Sequence, residues 1–314
     1  MGDSLFDNGN NNLLTTQAKA NYPPYGIDYP YGPTGRFSNG RNIADFLGEF
    51  LGFDEPISPF VTASGSEIQE GVNYGSGGAG ILDNTGQQQG DRFSLNKQLQ
   101  NHLTTILRLA HLLGSMGRAK QHLRTCLYNV YMGSNDYLNY YLLPQFYSPR
   151  RLYTPQAFAD ILIQQYSQQL RVSCIPSVLA VYPPTSGSTC VESINDAVEL
   201  FNNKLKSLVD TFNKDLNDAN FIYINISGIS QISPRDISAL GIKFANVSCC
   251  IVSRSISQGQ CALGKVPCSN RSEYIFYDNF HPMEIFNKLT AARAYNATLP
   301  TDTYPIDIRR LVQQ

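Results

Sequence analysis

An α/β fold, with a largely parallel sheet covered by helices, is predicted by two features of this 314-residue chain. Segments of strand-like and helix-like pattern alternate along its length. Hydrophobic residues make up 42% against 16% charged, so a sizeable core forms and disorder is excluded. No repeat or long linker interrupts the alternation, so residues 1–314 read as a single domain. Ligands of such sheets sit at the carboxyl ends of the strands.

Residues 1–45 are loop-like, carrying the turn formers of DNGNNN and of YPPYGIDYPYGPTGRFSNGR. Tyr22, Tyr25, Tyr29 and Tyr31 there read as turn packing, with cleft lining as the alternative. Residues 41–51 then form a short amphipathic helix. The stretch 71–82, GVNYGSGGAGIL, is a strand end entering a glycine-rich turn. Apolar spacing predicts a helix over 94–113 with Ser94 as its N-cap. Leu127–Met132 is a strand that stops at Gly133-Ser134-Asn135-Asp136. Helices follow over about 155–172 and 192–218, then a strand at Phe221–Ile226 and a closing helix over 282–295.

The net charge of −1 shows no basic block, which leaves no electrostatic footprint for nucleic acid or anionic lipid. No run of 18 apolar residues offers a membrane span, and no leader of signal-peptide type is visible. Seven cysteines form no CxxC and no Cys/His set of zinc spacing. Six crowd the second half, in loops, as in proteins of an oxidising compartment. Cys174–Cys190 and Cys261–Cys268 are the expected pairs, with Cys126 left over. Sequons at Asn225, Asn246, Asn270 and Asn296 occur about as often as chance gives, and decide nothing.

Acyl transfer needs a nucleophile, a base, a group that orients the base, and donors for an oxyanion. Ser4 can be the nucleophile and His281 the base, with Asp278 three residues earlier holding the other imidazole nitrogen. Asn135, just past a strand end, can supply a side-chain amide. A backbone N–H of the Gly77-Gly78 turn can supply another, because glycine lets the backbone approach a substrate closely. GSGGAG is no phosphate loop, since no Lys-Ser/Thr follows it.

In this order the segments GDSLFDNGNNN (2–12), GRFSNGRNIADFL (35–47), GVNYGSGGAGIL (71–82), GSNDYLNYY (133–141) and YDNFHPMEIFN (277–287) resemble the plant GDSL esterase/lipase family of the SGNH hydrolases. The likeness extends through GQC…PCSNR (259–271) to YPIDIRRL (304–311). It implies a three-layer sandwich, a parallel sheet flanked by helices, and hydrolysis of carboxylic esters through an acyl-enzyme on Ser4. Asp278 and His281 look like the other triad members. Ser4, Gly78 (or its neighbour Gly77) and Asn135 look like the oxyanion donors. No cofactor and no metal is implied, the partner is a small or polymer-borne ester, and the family is typically secreted.

The chain also departs from the pattern. The family sets its GDS after an apolar strand, and here Met1 stands at the end of that strand, so N-terminal truncation is expected, with Ser4 on a frayed terminus unless neighbouring contacts hold it. Around Arg171–Cys174 the helix reaches Cys-Ile-Pro directly, which reads as an internal deletion. Ser177–Tyr182 is the one substitute strand in view. Val247–Ile251 looks compressed, and Tyr277 stands where the family usually has Trp. A buried strand contributes roughly 5–12 kcal/mol against a net domain stability of about 5–15 kcal/mol. A sheet short of one or two strands is therefore expected, with a catalytically inactive binding remnant as the alternative function.

Overall fold

The computed structural model describes residues 1–142, 149–165, 192–215, 220–230, 234–254 and 259–314. Helix α1 (Ile43–Phe50) starts at a reciprocal cap: the Asn42 side chain accepts from the Asp45 N–H at 3.1 Å, and the Asp45 carboxylate from the Asn42 N–H at 2.9 Å. Helix α2 (Leu95–Leu112) is capped by Ser94, as the sequence predicts. A helix absent from that reading, α3 (Met116–Leu123), folds back on α2 after a turn at Gly114. Helices α4 (Pro155–Gln165) and α5 (Glu192–Asp215) pack on each other, and α6 (Glu284–Tyr295) lies on α1.

The main core is the seam where these pairs meet. Phe46 of α1, Phe158 and Leu162 of α4 and Phe201 of α5 are fully buried with Met132 and Tyr137. Tyr137 stands edge-on to both Phe158 and Phe201. A second cluster gathers Tyr25, Phe37, Tyr277 and Met283 around Cys249, Cys250 and Cys261.

Helices and strands mix in an α/β manner, but the described residues show less sheet than expected. Strand β1 (Tyr223–Ile224) pairs antiparallel with β4 (Thr303–Tyr304), and β2 (Phe244–Ser248) pairs parallel with β3 (Tyr274–Phe276). Gly2 bridges Tyr131 in parallel, and Pro59 bridges Asn73, each as a single bridge. The reason at Gly2 is local. The Gln98 side chain accepts from the Gly2 N–H at 2.9 Å and donates to the Gly2 carbonyl at 2.8 Å, occupying the groups a neighbouring strand would use. The segment 127–132, expected as a strand, belongs to neither sheet among the described residues and makes one isolated bridge, at Tyr131.

The strand expected over 221–226 is cut to two residues because Asn225 is a helix cap. Its Oδ1 accepts from the Gly228 N–H at 2.9 Å and opens a turn of helix at Ile226–Ser230. The run Val247–Ile251 begins in a paired strand, 244–248, and continues into the Cys249–Cys250 pair. The far ends of the helices expected over 155–172 and 192–218, the Arg171–Cys174 junction, Ser177–Tyr182, Cys174 and Cys190 lie outside the described residues.

The disulfides differ from the expected pairing. Cys249 joins Cys268 and Cys250 joins Cys261, so Cys261–Cys268 is not formed. Backbone bonds dictate this. The Cys268 N–H donates to the Cys249 carbonyl at 2.9 Å, while Cys261 bridges Val252 antiparallel, so each arm meets a different member of the Cys249–Cys250 pair. Cys126 is free, as expected, and exposed.

Candidate active site

Ser4 follows a segment that is threaded between two others. The Tyr131 N–H donates to the Met1 carbonyl and the Asp3 N–H to the Tyr131 carbonyl, both at 3.1 Å. On the other side the Ser76 N–H donates to the Gly2 carbonyl at 3.0 Å. Gln98 clamps Gly2 as described, and Phe6 stacks on Tyr131 at 5.1 Å. The neighbouring contacts that a terminal Ser4 needs are therefore present: it leaves a segment bonded on both sides.

His281 comes from the opposite end of the chain. Strand β3 ends at Phe276, the Tyr277 N–H donates to the His281 carbonyl at 2.8 Å, and the tight loop between them carries Asp278. Asp278 accepts from the Phe280 and His281 backbone N–H groups at 2.8 Å each. Both its oxygens lie 2.8 Å from His281 Nδ1. A carboxylate can only accept, so Nδ1 carries the proton and Nε2 is left as an acceptor. His281 Nε2 stands 2.8 Å from Ser4 Oγ, and residues 277 apart in sequence share one hydrogen bond. The Phe37 ring lies 4.8 Å from the imidazole. Asp278 and His281 are buried, and Ser4 is half-buried.

Tyr25 adds a member that sequence reasoning missed. Its hydroxyl donates to Asp278 Oδ2 at 2.5 Å and accepts from the Cys261 N–H at 3.1 Å. Burial, and then the negative charge of Asp278, hold its phenol well above the usual tyrosine range, so it stays a donor. Nothing in the tyrosine-rich run singles it out, because its partners lie more than 230 residues away.

Asn135 and the glycine turn are joined by direct bonds. Asn135 Nδ2 donates to the Ala79 carbonyl at 2.8 Å, and Asn139 Nδ2 donates to Asn135 Oδ1. With its oxygen engaged, the amide orientation is set, and one of its two N–H hydrogens remains. Of the two glycines, Gly77 donates its N–H to Asp7 Oδ2 at 2.9 Å. Gly78 has φ +77°, a conformation that favours glycine, and its N–H has no protein acceptor among the described residues.

Two buried carboxylates brace these loops and were not singled out in the sequence. Asp7 accepts from Gly9, Asn10 and Gly77 N–H groups. Asp136 accepts from Ile81, Leu82 and the Thr85 hydroxyl. Burial raises each to about 6 despite those donors. The signal for Asp7 was the Asn-rich run itself. Asn10 and Asn11 each donate to two backbone carbonyls, Asn11 reaching Ala18 and Gly77 and Asn10 reaching Asn73 and Gly75. No group of His, Cys, Asp and Glu among the described residues is arranged to hold a metal ion.

A family model described as GDSL-like Lipase/Acylhydrolase matches residues 1–294. The chain belongs to this family. Two GDSL esterase/lipases of Arabidopsis thaliana are each 46% identical to it over 329 residues, covering 99% of this chain and 90% of the relative. A third, also named a GDSL esterase/lipase from Arabidopsis thaliana, is 44% identical over 99% of this chain and 91% of its own. Membership places the GDSL chain in the class of carboxylic ester hydrolases. Its Gly2-Asp3-Ser4-Leu5 is the run in which Ser4 stands.

Proposed function

We propose that the chain hydrolyses carboxylic esters, of lipids or of other acyl or acetyl carriers, through an acyl-enzyme on Ser4. The carrying observation is the Ser4 Oγ–His281 Nε2 contact of 2.8 Å, with Asp278 on the far imidazole nitrogen. Nε2 takes the Ser4 proton as Oγ adds to the ester carbonyl, and the imidazolium so formed is stabilised by Asp278. The oxyanion is held by the N–H groups of Ser4 and Gly78 and by Asn135 Nδ2. His281 then returns the proton to the departing alcohol, and water repeats the sequence to free Ser4.

The reading extends to one domain over residues 1–314, built as a three-layer sandwich around a parallel sheet. The parallel contact of the Ser4 segment with Tyr131 supports that arrangement. Two disulfides support a secreted protein. No helix among the described residues is long and apolar enough to cross a membrane.

Hydrolysis of short-chain nitrophenyl esters by the purified chain tests this. Ser4→Ala is expected to lose on the order of 10⁴–10⁶ in kcat, and equal rates for the two proteins would sink the assignment. Asn135→Ala is expected to lose about 10²–10³, mostly in kcat, since the donor acts on charge that develops in the transition state.

A further inference from the structure

Helix α2 has its polarity turned around. The face buried against the protein carries Gln98, Asn101 and Thr105 between Leu95 and Leu109. The opposite face carries Leu99, Leu103 and Leu107, at 46%, 60% and 63% exposure. Spaced four apart, these leucines form one stripe along the helix. The inward polar residue has a task, since Gln98 clamps Gly2. The outward leucines have none within the described residues.

The stripe lies in a basic stretch of the chain. No Asp or Glu occurs between Asp91 and Asp136, whereas Arg92, Lys97, Arg108, Arg118, Lys120 and Arg124 all do. That leaves 18 Lys and Arg for all 25 Asp and Glu. The net charge of −1 is thus the sum of a basic α2–α3 hairpin and an acidic remainder, and the absence of an anionic-lipid footprint inferred from the whole-chain balance does not hold locally. Among the described residues Lys97, Arg108, Arg118, Lys120 and Arg124 make no ion pair. A shallow open groove on α3 is lined by Lys120 and Arg124, four apart, with Gly117, Gln121 and Leu123.

We propose that the α2–α3 hairpin docks on an anionic lipid surface. The leucine stripe enters the boundary between headgroups and acyl chains, and the basic residues meet headgroup phosphates, with Lys120 and Arg124 flanking one of them. Apolar and basic groups on one exposed element are what such a surface recognises. A second copy of the chain fits less well, because a twofold contact through the hairpin would bring its own basic residues together. The inference stands apart from the ester chemistry at Ser4, which it does not require.

Cosedimentation of the full chain, carrying Ser4→Ala to prevent turnover, with two kinds of vesicle is the test. One kind is phosphatidylcholine alone and the other phosphatidylcholine mixed with phosphatidylglycerol. Binding to the mixed vesicles is expected, weakening as salt rises, with pure phosphatidylcholine bound at least about tenfold less. Lys120→Glu with Arg124→Glu is expected to lower the partition roughly thirtyfold or more. The triple variant Leu99→Ser, Leu103→Ser, Leu107→Ser is expected to lower it by about tenfold or more. In the Ser4 background these surface changes should leave short-chain ester turnover and circular dichroism unaltered. If the triple leucine variant fails to fold, the charge pair alone decides. Equal binding to both vesicle types, or none to either, overturns the proposal. So does a dimer that the leucine variant disperses, which would assign the stripe to a second copy.

Discussion

Asp278 receives four donors: two backbone N–H groups of its own loop, His281 Nδ1 and the Tyr25 hydroxyl. The Tyr25 bond draws carboxylate charge away from the imidazole. Tyr25→Phe removes one hydrogen bond to a charged group, which contributes about 1.5–3 kcal/mol. Turnover is expected to fall roughly 10–100-fold as Asp278 loses its fixed orientation. The loss should fall on kcat with KM little changed, as for a residue that acts through Asp278 rather than on the substrate; unchanged kcat would leave Tyr25 a packing role only. Asp3 is the other informative carboxyl. Burial raises it to about 6, and its Oδ2 has no hydrogen-bond partner. The folded state therefore holds a proton that the unfolded chain releases near pH 4. Stability from this group is present below pH 4 and is lost as pH rises through about 6. Asp3→Asn should match the parent in urea midpoint near pH 4 and exceed it by on the order of 1–3 kcal/mol at pH 8. Ser4, Asn135, Asp278 and His281 could be picked out as candidates from the combination of short runs that carry them, and Ser4, His281 and Asp278 do meet in one line of hydrogen bonds. Tyr25, Asp7 and Asp136 could not, since their roles depend on partners brought in by the fold.

Helices were the most legible elements, and sheet the least. The Ser94 cap and the 3.6-residue spacing of 95–112 are local properties, so α2 falls where its sequence places it. Which face turns inward is not local: Gln98, Asn101 and Thr105 are buried while Leu99, Leu103 and Leu107 are exposed, and it is Gln98 that clamps Gly2. Strands depend on partners even more, and Asn225 and Gln98 each end or replace a ladder through one side chain. The cysteine-rich arm shows the same dependence, because pairing followed backbone bonds rather than nearness in sequence. That arm reaches the site through Cys261, whose N–H holds the Tyr25 hydroxyl and whose carbonyl accepts from Tyr22 at 3.0 Å. Replacing Cys250 and Cys261 together by serine opens an 11-residue loop and should cost about 3 kcal/mol. A fall in Tm of several degrees, with reduced ester turnover at temperatures where the variant is still folded, is the expected result. Unchanged turnover in the folded variant would show that Tyr25 is held without the disulfide.

At the scale of the whole molecule, the site has no single element of its own. Residues 1–8, 73–85, 131–139 and 277–281 supply it, and each is bonded to at least one of the others: Gly2 to Ser76 and Tyr131, Asp136 to Ile81 and Leu82, Asn135 to Ala79, Ser4 to His281. The Phe6, Tyr131 and Tyr137 side chains of these segments lie in the same core as α1, α4 and α5. Loss of that core therefore unstitches the site, and the site has no independent means of persisting or of melting first. In a urea titration the loss of ester turnover should coincide with the loss of far-ultraviolet circular dichroism, in one transition of common midpoint. Turnover lost at clearly lower urea would mean that the terminal segment bearing Ser4 opens by itself, as an edge with few buried contacts does. The six backbone and side-chain bonds at Met1, Gly2 and Asp3 to Asn129, Tyr131, Ser76 and Gln98 argue for the single transition.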